Sequence, residues 1–398
     1  METNFWKKLA RPILALSPMD GVTDAPFRRI TAKYGKPDIH FTEFTNVEGL
    51  ARNAAVMLDD FIYSEAERPV IAQIYGSEPE SFYKIAVLVC ALGFDGVDIN
   101  MGCPAKKVAA RGCGAGLIRT PDLAKEIIRQ VKRGVRDWSE GLEIEALGLK
   151  PRMKMKIDAM NRRRIESDYN LDTPPDYFLN SKRERYSIPV SVKTRIGYDS
   201  VTVEDWVRHL LEEEPVAISI HGRTLKQMYT GEADWDAIAR AAEIIKPTGT
   251  LVLGNGDLNS YQDIIKKIEL SRVDGVLIGR GAMGNPWIFS RKEEVRKHFA
   301  MAQTFSDCTS HETKNTNEAN GETFQRINLE QRFEVLIEHA HQFESVKGLD
   351  RFAAMRKHFG WYCKGLPGAA ELRNQLFKTK SPQEVESILD SYRKRWVP

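Results

Sequence analysis

The chain has 398 residues, 42 % hydrophobic and 28 % charged, and its 58 Lys and Arg against 55 Asp and Glu leave a net charge of +3. That length exceeds what one core usually serves, so it predicts two folding units or one large barrel with additions. The near balance of charge does not by itself announce nucleic-acid binding. Five cysteines, at 90, 103, 113, 308 and 363, form no C-x-x-C pair, which argues against a disulfide scaffold or a Cys-rich zinc site and for a reducing, cytoplasmic compartment. Lys7, Lys8 and Arg11 accompany an apolar stretch that ends at Pro18, too short for a signal peptide, and no apolar run is long enough to span a membrane.

Along the first three quarters, short apolar or β-branched runs alternate with amphipathic stretches. The runs are Ile13–Leu16, Asp38–Phe44, Val70–Tyr75, Gly96–Asn100, Val190–Thr194, Ala217–His221, Thr250–Gly254 and Val276–Gly279. Between them lie helix signals. Ser77 to Glu80 reads as a capping box, and Thr120-Pro121 as a cap followed by a first-turn proline. Eight strands alternating with helices predict an α/β fold, a parallel (β/α)8 TIM barrel, within residues 1–300. Residues 136–188 interrupt the rhythm as a charged, irregular insertion carrying Lys150, Arg152, Lys154, Lys156 and Arg162 to Arg164; a solvated face is the first reading and a nucleic-acid contact the second. Residues 301–326 read as a polar linker. Residues 327–398 read as a small helical bundle, from the spacing of Phe333, Leu336, Ile337, Ala340 and Phe343, then of Phe352, Met355, Phe359 and Tyr362, and from a capping box at Ser381 to Glu384. This segment holds 12 Lys and Arg against 9 Asp and Glu, so the whole positive excess lies there.

A barrel places its chemistry at the carboxyl ends of its strands. Those ends carry Pro18 and Met19, Glu43, Gln73, Asn100, Lys193 and Arg195, His221 and Arg223, Asn255 and Asp257, and Gly279 and Arg280. They read as one polar ring around a pocket. Cys103 follows strand four between Gly102 and Pro104, on a turn that exposes it to the mouth; a free thiol has a pKa near 8.5 and serves as an acid at neutral pH. Arg111 to Leu117 is glycine-rich but lacks dinucleotide-loop spacing, so it reads as a mobile active-site loop, with Cys113 structural or incidental. Asn255-Gly256-Asp257 and Gly279-Arg280-Gly281, after the last two strands, form a phosphate and ribityl site. His339 and His341, two apart on a helix, face different ways, and no metal is assigned.

These motifs resemble the flavin-dependent tRNA-dihydrouridine synthases. Leu16 to Arg28 is similar to the family's opening signature, Asp98 to Pro104 to its catalytic motif, and Val192 to Gly197 to its fifth-strand segment. His221 to Thr224 with Tyr229, Gly231 and Trp235, then Gly254 to Asp257 and Ile278 to Gly281, complete the set over roughly residues 10–290. The resemblance implies an FMN enzyme that reduces a uridine of tRNA, in its D-loop region, with NADPH recharging the flavin, acting as a monomer. It implies Cys103 as general acid and Asn100 and Arg195 as substrate-binding. The cofactor residues it implies are Pro18, Met19, Asp20, Gln73, Lys193, His221, Asn255, Gly256, Asp257, Gly279 and Arg280. Ser17 stands where the family often has alanine, and the 136–188 insertion and the linker are longer than typical members require.

Two rival readings remain at this stage. A barrel flavoenzyme reducing a free small molecule needs neither the helical tail nor the basic insert. An RNA-binding protein with a vestigial flavin site would not need to retain Cys103, Lys193, His221 and Arg280 together.

Overall fold

The computed structural model describes residues 4–168, 185–308 and 328–396. The chain divides into two compact units, Met1–Gly281 and Ala282–Pro398. The first-unit boundary thus falls before residue 300, because the last strand ends at Ile278 and the helix Lys292–Cys308 groups with those after it. That helix runs into the stretch read as a linker; the rest of that stretch, from 309, lies outside the described residues, as do 169–184 of the insertion.

In the first unit eight parallel strands close into a barrel in chain order, as the sequence predicts. They are β1 (Ile13–Leu16), β2 (His40–Asn46), β3 (Val70–Tyr75), β4 (Gly96–Met101), β5 (Val190–Arg195), β6 (Ala217–His221), β7 (Leu251–Asn255) and β8 (Gly275–Ile278). Alternate side chains of each strand enter the barrel, and their chemistry changes along its axis. Near the amino ends, Ile13, Ala15, Phe41, Ile71, Ala217, Leu253 and Leu277 form one apolar layer with Trp6, which is fully buried. Farther along the same faces stand Ser17, Gln73, Asp98, Ser191, Lys193, Ser219, His221 and Asn255. The register makes neighbours of Gln73 and Asp98, Asp98 and Ser191, Asn100 and Lys193, and Arg195 and His221. The apolar floor therefore carries a polar mouth.

Helices cover the outside, and their starts follow local chemistry. Asp24 caps Ala25–Tyr34 by accepting from the Phe27 N–H at 3.1 Å, and Asp234 caps Trp235–Ile245 through the Ala237 N–H at 2.8 Å. The expected box at Ser77 does not form: Pro79 opens the helix Pro79–Ala91, Glu78 becomes its N-cap, and the Ser77 N–H donates to Glu48 at 2.5 Å. Thr120 does cap Pro121–Ser139, without a side-chain bond. The insertion is less irregular than its charge suggests. Pro151–Asp168 is helical and buries Met153 and Ile157, one turn apart, while Lys156 pairs with Asp59 at 2.7 Å and Lys154 with Glu145. Those pairings engage two of the run's lysines within the first unit.

Arg28 ties the first loop to the scaffold. With Glu67 it forms a fully buried pair at 2.6 Å, and it also donates to the carbonyls of Thr23 at 2.6 Å and Ile62 at 2.5 Å. In the second unit the helices Leu329–Lys347, Arg356–Tyr362, Ala369–Leu376 and Pro382–Trp396 bury Phe333, Leu336, Ala340, Phe343, Phe352, Met355, Phe359 and Tyr362 as expected, with Ile337 half-buried. Before Pro382–Trp396 only half of the predicted box forms: the Glu384 N–H donates to the Ser381 hydroxyl at 3.3 Å, but the Glu384 carboxylate accepts from the Lys380 N–H at 2.8 Å, one residue before the expected partner. Among the described residues no helix is long and apolar enough to cross a membrane.

Removing one partner of a buried ion pair strands the other charge away from water. Glu67→Ala is expected to destabilise the first unit by ~3–5 kcal/mol, read as an earlier thermal unfolding transition by calorimetry; an unchanged transition would remove Arg28–Glu67 from the scaffold.

Candidate active site

The site is built upward from a carboxylate. Asp98, fully buried on β4, accepts from the Ser191 hydroxyl at 2.6 Å and from the Gln73 amide at 2.7 Å. Gln73 in turn accepts from the Asn100 amide nitrogen at 2.9 Å. The Asn100 oxygen then accepts the backbone N–H groups of Gly102 at 3.0 Å and Cys103 at 2.9 Å. Burial pushes Asp98 up to about 6, against the opposing effects of Ser191, Gln73 and Lys193, so it is mainly ionised at neutral pH.

Cys103 therefore sits on a turn fixed from below. Burial pushes its thiol above the ordinary range, while the Ala105 N–H, Arg195 and Lys193 oppose the shift. The glycine-rich segment is packed behind it rather than standing away as a loop: Gly114–Arg119 is a 3-10 turn with residues 114–118 buried. The Ala115 N–H donates to the Cys103 carbonyl at 3.3 Å, and at Gly114 (φ +56°) an added Cβ would lie 2.9 Å from the Cys103 Cβ. Cys113 is buried, its Sγ 3.8 Å from the Arg111 carbonyl, which suits the incidental reading.

Arg195, buried, spends its donors on backbone: the carbonyls of Gly102 at 2.7 Å and of Thr224 and Met228 at 3.0 Å each. It clamps the cysteine turn to the loop after β6, with the exposed Tyr229 ring 5.9 Å from its guanidinium. Asn100 and Arg195, expected to face a substrate, thus first hold the turn that carries Cys103. Lys193, beside them on β5, is lowered to about 8 by desolvation and Arg195, with Asp98 and Cys103 opposing.

At the other side of the mouth, burial and the charges of Lys193, Arg195, Arg223 and Arg280 hold His221 well below the ordinary histidine range, hence neutral. The Asn255 amide donates to the Leu277 carbonyl at 2.7 Å. Asp257 (φ +52°) receives the Ala233 N–H at 2.8 Å, both contacts of Arg223 at 2.9 and 2.7 Å, and Arg280 at 2.7 Å. Burial alone would raise the Asp257 carboxyl; these donors outweigh it and hold it below its ordinary value. Asp257 is thus the carboxylate that aims two arginines. Gly256 (φ +130°) admits no side chain, since a Cβ would lie 2.6 Å from Ala233 and 3.2 Å from the His221 ring. A Cβ at Gly279 would stand 3.2 Å from the Met19 sulfur. Pro18 and Met19 are half-buried on the loop after β1, with the Met19 N–H donating to Thr23 at 2.9 Å; Asp20 is exposed. The Gly21 N–H donates to Glu43 at 2.6 Å.

The structure therefore gathers every expected site residue at one barrel mouth. It adds Asp98 and Ser191 as supports and gives Arg223, already in the polar ring, Asp257 as its partner. A carboxylate inside an apolar run was the available signal for Asp98. The excess of cations, their mutual repulsion and the glycines at Gly256 and Gly279 fit an anionic, flat, hydrogen-bonding ligand such as a flavin mononucleotide.

The sequence matches the family described as Dihydrouridine synthase (Dus) over residues 14–159 and 177–395. The chain belongs to the dihydrouridine synthase family. It is 31 % identical to a probable tRNA-dihydrouridine synthase of Staphylococcus aureus (strain COL), across 98 % of this chain and 96 % of that one. It is 32 % identical to probable tRNA-dihydrouridine synthase 2 of Bacillus subtilis (strain 168), across 100 % of this chain and 99 % of that one. Within this dihydrouridine synthase family member the second unit lies inside the matched span, so both units belong to the family's architecture.

The raised Cys103 thiol yields a direct expectation. At pH 7 it carries less thiolate than free cysteine, so iodoacetamide alkylation of Cys103, followed by peptide mass spectrometry, should begin its rise at higher pH than for a model thiol. Rapid alkylation at pH 7 would contradict a protonated Cys103.

Proposed function

We propose that this protein reduces the carbon-5/carbon-6 double bond of a uridine in tRNA, in the D-loop region, with FMN as cofactor and NADPH as reductant. The observation that carries the reading is a protonated thiol held on a fixed turn, within the same mouth as a cation cluster and two glycines suited to a nucleotide phosphate. The names of the relatives support tRNA as partner, and the small positive excess of the C-terminal segment permits it.

Bound FMN, reduced by NADPH, would supply the hydride to carbon-6 of the uracil. Gln73 and Met19 would lie against the ring system, Lys193 and His221 at its polar edge, and Asn255, Gly256, Gly279 and Arg280 toward the phosphate. Pro18 and Asp20 belong to the same loop, and Asp257 aims Arg280. Hydride addition at carbon-6 leaves negative charge over carbon-5 and the adjacent carbonyl. Cys103 holds a proton on Sγ for carbon-5, and its pKa above the ordinary thiol range keeps that proton in place until a carbanion is there to take it. Lys193 in its cationic form stabilises the developing oxyanion. Neutral His221 offers a hydrogen bond without adding a further charge to the cluster. A base within folded RNA must leave its stack to reach such a mouth.

Nucleoside mass spectrometry of an unmodified tRNA transcript, incubated with FMN-loaded protein and NADPH, tests the reading. A uridine should gain two hydrogens, and fragment mapping should place it in the D-loop; no gain from flavin-bound, NADPH-oxidising protein would overturn tRNA as substrate. Cys103→Ala should keep its flavin absorbance and lose about 10²–10⁴-fold in turnover. The sign for Lys193 follows from its lowered pKa: the amine is charged below about 8 and loses its proton above, so turnover should fall as pH rises through about 8, and Lys193→Gln should abolish that limb.

A further inference from the structure

Asp98 lies below the residues that would touch flavin or uracil, yet all of them on this side of the mouth depend on it. A carboxylate only accepts hydrogen bonds. Both of its oxygens are engaged: Oδ1 by the Ser191 hydroxyl and Oδ2 by the Gln73 amide nitrogen. Gln73 must then turn its oxygen toward Asn100, and Asn100 must turn its own oxygen toward the N–H groups of Gly102 and Cys103. Had the two amides turned the other way, the Asn100 nitrogen would face two N–H donors. The direction of the whole chain is therefore fixed at its two ends, by the acceptor Asp98 and by the two N–H donors of the cysteine turn.

The same side chain has a second neighbour. Asp98 pairs in register with Ser191, and Lys193 is the next residue of β5 on the same face. The titratable and charged groups facing Lys193 are Asp98 and Cys103 from β4 and the turn beyond it, Arg195 on its own strand, and His221 on β6. Asp98 is the carboxylate of that set.

We infer that Asp98 is a positioning residue for the reaction: from its end it fixes the donor–acceptor direction of the Gln73–Asn100 chain that holds the Cys103 turn, and it supplies the negative charge opposite Lys193. This rests on the function proposed above, in which Cys103 and Lys193 act on the reduced uracil. The two parts separate by substitution. Asp98→Asn removes the charge but keeps an acceptor for Gln73, because the Ser191 hydroxyl rotates to accept from the new amide. Asp98→Ala removes the acceptor as well.

The test uses the full-length protein and two readouts. In the FMN-loaded enzyme, Asp98→Asn should move the alkaline limb of turnover to lower pH by about one unit or more, with the KM for tRNA unchanged. In flavin-free protein, hydrogen exchange at the Gly102 and Cys103 amides should accelerate about tenfold in Asp98→Ala and stay near the parent rate in Asp98→Asn. Ser191→Ala, which removes one donor to Asp98 but keeps the carboxylate and its bond from Gln73, should move the limb less than Asp98→Asn does. An Asp98→Asn enzyme with the parent pH profile, or an Asp98→Ala protein with parent exchange at both amides, would overturn the assignment. If Asp98→Asn does not fold, the exchange of Asp98→Ala decides; if that variant also does not fold, a limb in Ser191→Ala shifted as far as expected for Asp98→Asn overturns the charge role, and a smaller shift or none supports it. If the parent makes no dihydrouridine, the function reading fails by itself, and the exchange measurement still judges Asp98.

Discussion

Ionised groups inside a barrel lose their hydration, and the mouth of this one is organised around meeting that cost. Asp98 and Lys193 stand on adjacent strands well inside the wall, and each moves the other toward its charged form against desolvation. Asp98 also accepts from two donors, Ser191 and Gln73, each hydrogen bond to a charged group contributing about 1.5–3 kcal/mol. On the far side Asp257 does the corresponding work for Arg223 and Arg280. Two carboxylates, one deep and one at the rim, thus hold a cation cluster that would otherwise repel itself apart.

The axial change from apolar to polar makes this arrangement compatible with folding. Strand periodicity obliges residues two apart to share a face. A barrel whose inner face were polar throughout would lack a core, and one apolar throughout would lack a site. Here Ile71 and Gln73, Ala217, Ser219 and His221, and Leu253 and Asn255 each begin in the floor and end in the mouth. Trp6 covers the floor from the other end, so the polar layer rests on packed apolar atoms rather than on water.

Most of the barrel was legible because each strand is short, β-branched and followed by turn residues, so its carboxyl end announces itself. The insertion was less so: in Pro151–Asp168 the buried Met153 and Ile157 are outnumbered by lysines and arginines, and the helical period is hidden. The capping residue at Glu78 was missed because Pro79 fixes the first helical position one residue later than Ser77 would require. Arg111 to Leu117 reads as a mobile loop from its glycines; Gly114 instead allows close packing against Cys103 and Gly116 against Ala109, with only Gly112 in open space. The roles of Asn100, Arg195 and Asp257 were legible only by position. Their partners are set by the register of neighbouring strands, which a single sequence does not display.

Burial acts in opposite directions on the ionisable groups of the mouth, and the division of labour follows. It disfavours charge on every group, so it raises Cys103 and lowers Lys193 and His221. The thiol is left holding its proton, the imidazole is left neutral, and Lys193, with Asp98 opposite, stays mainly charged at neutral pH. One environment therefore produces an acid, a neutral hydrogen-bonding group and a cation from three side chains whose ordinary pKa values would not sort them this way. The counter-charge of Asp98 separates Lys193 from His221: neighbouring cations and desolvation act on both, and Asp98 is among the influences that raise Lys193. Without a carboxylate on β4 the same burial that protects the proton on Cys103 would also strip one from Lys193, and the mouth would keep its protonated thiol while losing the cation beside it.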